Sequence, residues 1–296
     1  MNINFLKYRT LYYILSGVLI VSSLALVLVF GLKMGIDFTG GSIMELVFDG
    51  QVPSNESIES SLADLNLVEI IIQPAGENRL ILRFGHIEES THQEILKKIE
   101  GETEQSFEAI GPTIGKELTG KTRTATILAL LAIASYVAFA FRRVSYPAKS
   151  WQYGLATLVA LFHDIIIPLG VFAILGEFYN VEINIPFVAA LLTVLGFSVH
   201  DTIVVFDRIR ENLLKRTAVS FGDVVNQSLN QTLVRSINTV LTTLLVLFAI
   251  YFFGGESLKY FSLALIIGIV SGAYSSIFIA SPLIFSWVNS KEGKRK

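Results

Sequence analysis

Six apolar segments, at about 11–32, 124–141, 152–175, 184–206, 233–253 and 260–288, constrain this 296-residue chain more than any other feature. Each approaches the roughly 20 residues needed to cross a bilayer core about 30 Å thick, and 124–141 is the shortest. Each is expected as a helix, because hydrocarbon offers no partner for an unpaired backbone amide or carbonyl. Composition agrees: 52% of residues are hydrophobic and 16% charged, against about a quarter charged in soluble domains. The first segment follows Lys7 and Arg9 as a signal peptide would. Its apolar run is longer than an h-region and no Ala-x-Ala site follows, so it is expected to stay attached as a span. With no cysteine, disulfides, thiol nucleophiles and Cys-ligated metals are excluded.

Basic residues set the orientation, because short loops rich in Lys and Arg stay on the cytoplasmic side. They alternate along the chain: Lys7 and Arg9 before the first span; Arg142, Arg143 and Lys149 after the second; Arg208, Arg210, Lys215 and Arg216 after the fourth; and Lys291, Lys294, Arg295 and Lys296 in the tail. The opposite loops carry no basic residue at 176–183 and only Lys259 at 254–259. Both termini are therefore expected in the cytoplasm of a multi-pass membrane protein. The net charge of −2 gives no reason to expect a nucleic-acid partner.

Residues 34–122 have the composition of a soluble domain and fall outside by the same parity. Ile43–Phe48, Val68–Gln73, Arg79–Phe84 and Glu104–Ile110 are expected as strands, with a hairpin at Pro74–Asn78. Ser54–Leu65 and Glu88–Ile99 are expected as helices. The order βαββαβ is that of the ferredoxin-like split motif. The fold class is thus an α-helical polytopic membrane protein with six transmembrane helices and a small α+β extracytoplasmic domain between the first two. Its parts are 1–33 (arm and first span), 34–122, 123–290 (spans two to six) and 291–296 (basic tail). His86 and His92 lie on polar stretches and are expected to be solvated rather than to ligate a metal, and no cofactor is expected.

Charged residues inside spans are costly, at least about 2.5–3.5 kcal/mol for a central Asp, and so mark candidate sites. His163-Asp164 lies about 12 residues into the third span, about 18 Å deep. Adjacent residues point about 100° apart on a helix, so one of the two suffices to face a pathway while the other bonds across helices. Asp201 lies roughly 10 Å inside the cytoplasmic end of the fourth span. Its candidate partner is Arg235, which opens a polar stripe with Asn238, Thr239, Thr242 and Thr243 that must face protein. Such a pair is able to act as a proton switch or simply to lock two helices together. Asp207, about 240° round the helix from Asp201, belongs with Arg208 and Arg210 to a solvated helix end, and His200 is a helix-to-helix hydrogen-bond candidate. Gly196 and Ser198, and Gly268 and Gly272 with Ser275 and Ser276, provide small residues for close helix packing. Asp37 sits in a glycine-rich turn with Gly35, Gly40 and Gly41, open as a joint or as a plain turn.

Three stretches carry a family resemblance: Gly35-Ile36-Asp37-Phe38-Thr39-Gly40-Gly41; Ile110-Gly111-Pro112-Thr113-Ile114-Gly115-Lys116-Glu117-Leu118; and Gly196 through Asn212 with its Val199-His200-Asp201-Thr202. Over the whole chain, in order and spacing, it resembles the SecF family of protein-export membrane subunits within the resistance-nodulation-division superfamily. Some relatives of that family join SecD and SecF in twelve spans, so the resemblance is to half a working unit. It implies a SecD partner, the SecYEG translocation channel and a translocating unfolded preprotein, all at the lipid bilayer of the bacterial cytoplasmic (inner) membrane. It also implies proton movement at Asp201 and Arg235, with Asp164 and His163 as further candidates, and an external-domain joint at Asp37, Gly40 and Gly41.

Two other functions stay open: a proton-driven small-molecule exporter of the same superfamily, and a scaffold that only stabilises the channel. The single small external domain leaves little room for a drug-pump porter, and a scaffold needs no protonatable Asp. Neither Gly115-Lys116-Glu117 nor Gly120-Lys121-Thr122 has P-loop spacing, so ATP is not expected as fuel and no enzyme activity is expected.

Overall fold

The computed structural model describes residues 3–74, 78–99, 101–140, 147–216 and 218–292. Arg142, Arg143, Lys294, Arg295 and Lys296, and the 75–77 portion of the hairpin, lie outside the described residues. The chain divides into two compact units, one of residues 1–33 with 125–296 and the other Met34–Thr124.

In the Met34–Thr124 unit a helical turn α2 (Ile36–Thr39) leads into strand β1 (Gly41–Phe48). Helix α3 (Asn55–Leu62), strands β2 (Ile71–Pro74) and β3 (Arg79–Phe84), helix α4 (Glu89–Lys98) and strand β4 (Glu102–Ile110) follow. The four strands form an antiparallel sheet in the order β2-β3-β1-β4. Register follows side-chain alternation: Met44, Leu46 and Phe48 on β1 and Leu80, Leu82 and Phe84 on β3 share the face covered by Ile58 and Leu62 of α3 and by Ile95 and Ile99. Ser54 caps α3, its hydroxyl accepting from the Ser57 amide at 3.3 Å. Strand β2 starts at Ile71, later than expected, because Glu69 takes a positive φ of 52° that breaks the extended run at Val68.

Gly40 and Gly41 need to be glycine on two grounds. Their φ values are +76° and +141°, and a Cβ on Gly40 would lie 2.8 Å from the Pro112 backbone. Pro112 opens α5 (Pro112–Ala140), a helix that starts well before the apolar stretch expected at 124–141.

The other unit is built from α1 (Arg9–Phe30), the end of α5, α6 (Ser150–Tyr179), α7 (Ile185–Leu214), α8 (Phe221–Phe253), α9 (Glu256–Ser275), a π-helical segment at Ser276–Ala280, and α10 (Ser281–Glu292). Among the described residues five helices are long and apolar enough to cross a bilayer: Phe5–Phe30, Ser150–Tyr179, Ile185–Leu214, Phe221–Phe253 and Leu258–Ser290. The helix α5 is not among the five. The last span is continuous through the π turn, which precedes Pro282, a residue that cannot donate the backbone bond an α-helix requires.

Helices α6, α7 and α9 pack together, with α1 against α6 and α8 against α7 and α9. Close approach is made by small residues: a Cβ on Gly268 would lie 2.3 Å from Val194 Cγ2, one on Gly272 3.0 Å from Ser198 Cβ, and one on Gly170 2.5 Å from Ser23 Cβ. Gly196 differs from the expectation, since it faces outward with open space around it and makes no close helix approach among the described residues. At the basic end, Asn212 of α7 donates to Ser228 Oγ at 2.8 Å and to Gln231 Oε1 at 2.9 Å on α8. The N-terminal arm is pinned there too, by Asn226 and Asn230, whose side-chain oxygens accept from the Phe5 and Ile3 amides.

Candidate functional site

Two carboxylates are buried where α6, α7, α8 and α9 meet. Asp201, on α7, is 8% exposed and Asp164, on α6, is 0% exposed. Helical spacing places Asp201 one turn beyond Ser198, so both project from α7 toward the α9 seam that Gly272 opens.

Each oxygen of Asp201 accepts a hydroxyl. Ser236 Oγ of α8 donates to Oδ1 at 2.7 Å, and Ser276 Oγ, the first residue of the π segment, donates to Oδ2 at 2.5 Å. The expected partner is displaced by one residue: Arg235 lies on the exposed side of α8 and makes no ion pair with Asp201 among the described residues. The cause is helix geometry, since Ser236, about 100° round from Arg235, is the α8 residue turned inward and is 3% exposed. Asn238, Thr239 and Thr242, expected against protein, are also exposed within this chain.

Asp164 is more heavily bonded. Ser198 Oγ and Ser275 Oγ donate to its Oδ2 at 2.6 and 2.7 Å, and Ser271 Oγ donates to Oδ1 at 3.1 Å. His163 Nδ1 lies 2.9 Å from the same Oδ1. The two adjacent residues therefore share one cluster rather than dividing their tasks between separate faces. The imidazole stacks on Tyr274, with ring centroids 5.8 Å apart, and its buried Nε2 has no hydrogen-bond partner among the described residues. Tyr274 in turn reaches α1, receiving a hydrogen bond from Ser16 and donating to the Tyr12 carbonyl. Pro168, four residues after Asp164, cannot supply the backbone donor its carbonyl would meet in a regular helix.

A carboxylate in low dielectric is tolerable when every lone-pair direction has a donor. At Asp201 the donors are neutral hydroxyls, which rotate and accept as well as donate, whereas Asp164 has His163 beside its three hydroxyls. Ser198, Ser236, Ser271, Ser275 and Ser276 were missed as site residues. The sequence signal is serines in otherwise apolar spans at three- and four-residue spacing, Ser198 with Asp201 and Ser271 with Ser275, in a chain with two intramembrane aspartates.

The remaining candidates lie elsewhere. His200 is exposed on α7, and Asp207 is exposed and paired with Arg210 at 3.5 Å on the helix end. Asp37 lies in α2, next to Gly40 and Gly41. In the Met34–Thr124 unit His86 is exposed, but His92 contradicts the expectation of a solvated ring. It is 6% exposed, stacked on Phe107 with centroids 3.9 Å apart, and its nitrogens lie 3.2 Å from Glu89 and from Glu104. It is buried because α4 turns it toward β4. Glu89 is held below its ordinary carboxylate value, first by the Gln93 side-chain amide and then by His92. Among the described residues no group of three or more His, Cys, Asp or Glu is arranged to hold a metal ion.

Comparison with known proteins gives a consistent result. Residues 91–290 match the family described as protein export membrane protein SecD/SecF, C-terminal, and residues 25–52 match the SecD/SecF GG motif, which includes Gly40 and Gly41. The chain is similar to the protein translocase subunit SecF of Thermobaculum terrenum, with 45% identity over 303 residues covering 97% of this chain and 94% of that protein. It is similar to the SecF subunit of Haemophilus influenzae at 39% over 288 residues, covering 95% and 85%. The solved structure of SecDF from Thermus, a translocon-associated membrane protein, aligns with a TM-score of 0.84 and 32% identity over 98% of this chain. That alignment takes in 39% of the SecDF chain, so this protein spans about two-fifths of it. SecDF in a super-membrane-facing form aligns with a TM-score of 0.71 and 33% identity, over 100% of this chain and 40% of that one.

Proposed function

Because the chain belongs to the SecD/SecF family of protein-export membrane proteins, we propose that it is the SecF half of a unit in which proton movement at Asp201 promotes late export of preproteins. The observation that carries this reading is the state of Asp201: a buried carboxylate inside a span, held by two neutral hydroxyls. A group placed this way exchanges one proton without breaking a salt bridge. Asp164 with His163 is a second protonatable cluster on the same helix contact. Energy from the gradient is spent at the extracytoplasmic unit, which holds or pulls the emerging polypeptide; the protein is a transport component and not an enzyme.

The partner half is SecD. Arg235, Asn238, Thr239 and Thr242 form a polar strip on the exposed side of α8, and a guanidinium facing lipid is costly, which supports a protein partner there. In this reading Arg235 acts on proton movement from the SecD interface rather than by pairing with Asp201 in this chain. SecYEG and the unfolded preprotein complete the assembly at the inner membrane.

Further parts of the reading rest on the same physics. The sixth span is the apolar end of α5, and alternation of basic loops supports cytoplasmic termini. The strand order β2-β3-β1-β4 supports a ferredoxin-like extracytoplasmic domain. Asp37, Gly40 and Gly41 form its joint, supported by the two positive φ values and the tight approach of Pro112.

The test is export in inverted vesicles carrying Asp201→Asn together with SecD. Export should lose its dependence on the proton gradient. A variant that retains full export and full gradient sensitivity excludes the proposal and leaves the scaffold role, for which the hydroxyl ties of Asp201 to α8 and the π segment are the supporting observation.

A further inference from the structure

Ser275 and Ser276 are consecutive, yet they serve different aspartates on different helices: Ser275 Oγ donates to Asp164 on α6 and Ser276 Oγ to Asp201 on α7. Each hydroxyl has a second acceptor within reach on its own helix. Ser275 Oγ lies 3.1 Å from the Gly272 carbonyl oxygen, and Ser276 Oγ lies 3.2 Å from that of Ala273. Both serines are 0% exposed, so water does not compete for them. They stand where α9 passes into the π turn, and Ser281 Oγ donates to the Ser276 carbonyl five residues back, at the spacing of that turn. On the other side of the cluster α7 repeats the arrangement, carrying both Asp201 and Ser198, the donor to Asp164.

From this geometry we infer that Ser276 and Ser275 are positioning residues, each a hydroxyl rotor that swings between its aspartate and its own helix as the carboxyl group changes protonation. The inference rests on the reading of Asp201 as the coupling group. With Asp201 ionised, Ser276 donates to Oδ2. When a proton binds at Oδ2, that oxygen becomes a donor, so the new O–H points at Ser276 Oγ while the serine hydrogen turns to the Ala273 carbonyl. No bond is broken other than hydrogen bonds, and one proton is gained. The same exchange is available at Asp164, with Ser275 and the Gly272 carbonyl. The two rotors stand on consecutive residues at the head of the π turn, so one short stretch of backbone presents a hydroxyl to each carboxyl group. The groups facing them from the packed elements are Ser236 at Asp201, and His163, Ser198 and Ser271 at Asp164.

The experiment uses the full chain assembled with SecD in inverted vesicles, reading gradient-driven export together with infrared difference spectra on acidification. The carboxyl band absent from Asp201→Asn is the signal of protonated Asp201. Ser276→Ala should lower coupled export roughly tenfold, the size expected for one hydrogen bond to a charged group, and should shift that band. Ser276→Thr, which keeps the hydroxyl, should restore both. In the Asp201→Asn background Ser276→Ala should add nothing. If Ser276→Ala fails to assemble, Ser276→Cys, of similar volume and weaker donor strength, should give an intermediate loss and a shifted band. An unshifted band and unimpaired export in the serine variants, with Asp201→Asn still inactive, overturns the inference and leaves the proton-coupling reading standing. Full gradient-sensitive export in Asp201→Asn itself removes both.

Discussion

Ser236, and not its neighbour Arg235, meets Asp201, donating from Oγ to Oδ1 at 2.7 Å. One position of helical rotation separates a residue that serves this chain's interior from one that faces outward. The two should therefore fail differently. Ser236→Ala is expected to lower the thermal stability of the detergent-solubilised chain by about 1–2 kcal/mol, through a lost bond to a buried carboxylate. Arg235→Ala is expected to leave that stability within about 0.5 kcal/mol while impairing export once SecD is present. Thermal unfolding of the chain alone, followed by export assays with SecD, separates the two.

The small-residue seam gives a second contrast. Gly268→Ala places a methyl against Val194 Cγ2 and Cγ1, at 2.3 and 2.8 Å, in a packed interface. It should destabilise by about 1–3 kcal/mol, the usual cost of overpacking. Gly196→Ala meets open space and should be neutral or slightly stabilising, because Ala is the better helix former. Paired melting temperatures check the difference.

In the Met34–Thr124 unit Leu82 is fully buried between β1, α3 and α4. Leu82→Ala should cost about 2–5 kcal/mol, a large fraction of what a domain of this size has to lose. Limited proteolysis of the full protein should then cut within 34–124 while the transmembrane fragments survive intact.

The Lys98–Asp64 pair ties α4 to the turn after α3, and the Lys98 ammonium holds the Asp64 carboxyl below its ordinary value of 3.8. A depressed folded-state value means that the contribution is present above the unfolded value and is lost as the pH falls through the lower, folded one. Hydrogen exchange at α4 should therefore accelerate on acidification in that window, by a small amount because Asp64 is exposed and Lys98 only half-buried, so solvent screens the pair. Lys98→Ala should remove this Asp64-linked part of the acid response.

The spans were legible in the sequence because length and hydropathy act locally: the apolar runs within α1, α6, α7, α8 and the last helix stand where the expected segments do. So were the strands and helices of the small unit, where Arg79–Phe84 coincides end to end and alternation of Met44, Leu46 and Phe48 marks the buried face. His92 was misjudged because its polar sequence neighbours conceal a contact with Phe107 on a strand that pairs only in the folded sheet. Depth and adjacency of the two spans point to Arg235 as the partner of Asp201, but they do not specify the rotation of α8, which turns Ser236 inward and Arg235 outward.

The sequence by itself determined that this chain crosses a bilayer, that a βαββαβ unit interrupts the spans, and that Asp164 and Asp201 are costly enough to need partners. Those conclusions follow from period, length and transfer cost, which depend on each segment alone. Only the tertiary structure decided which partners they have. That outcome depends on the rotation of α8, the depth to which Gly272 lets α9 approach α7, and the π turn at Ser276, none of which a single helix specifies before it packs.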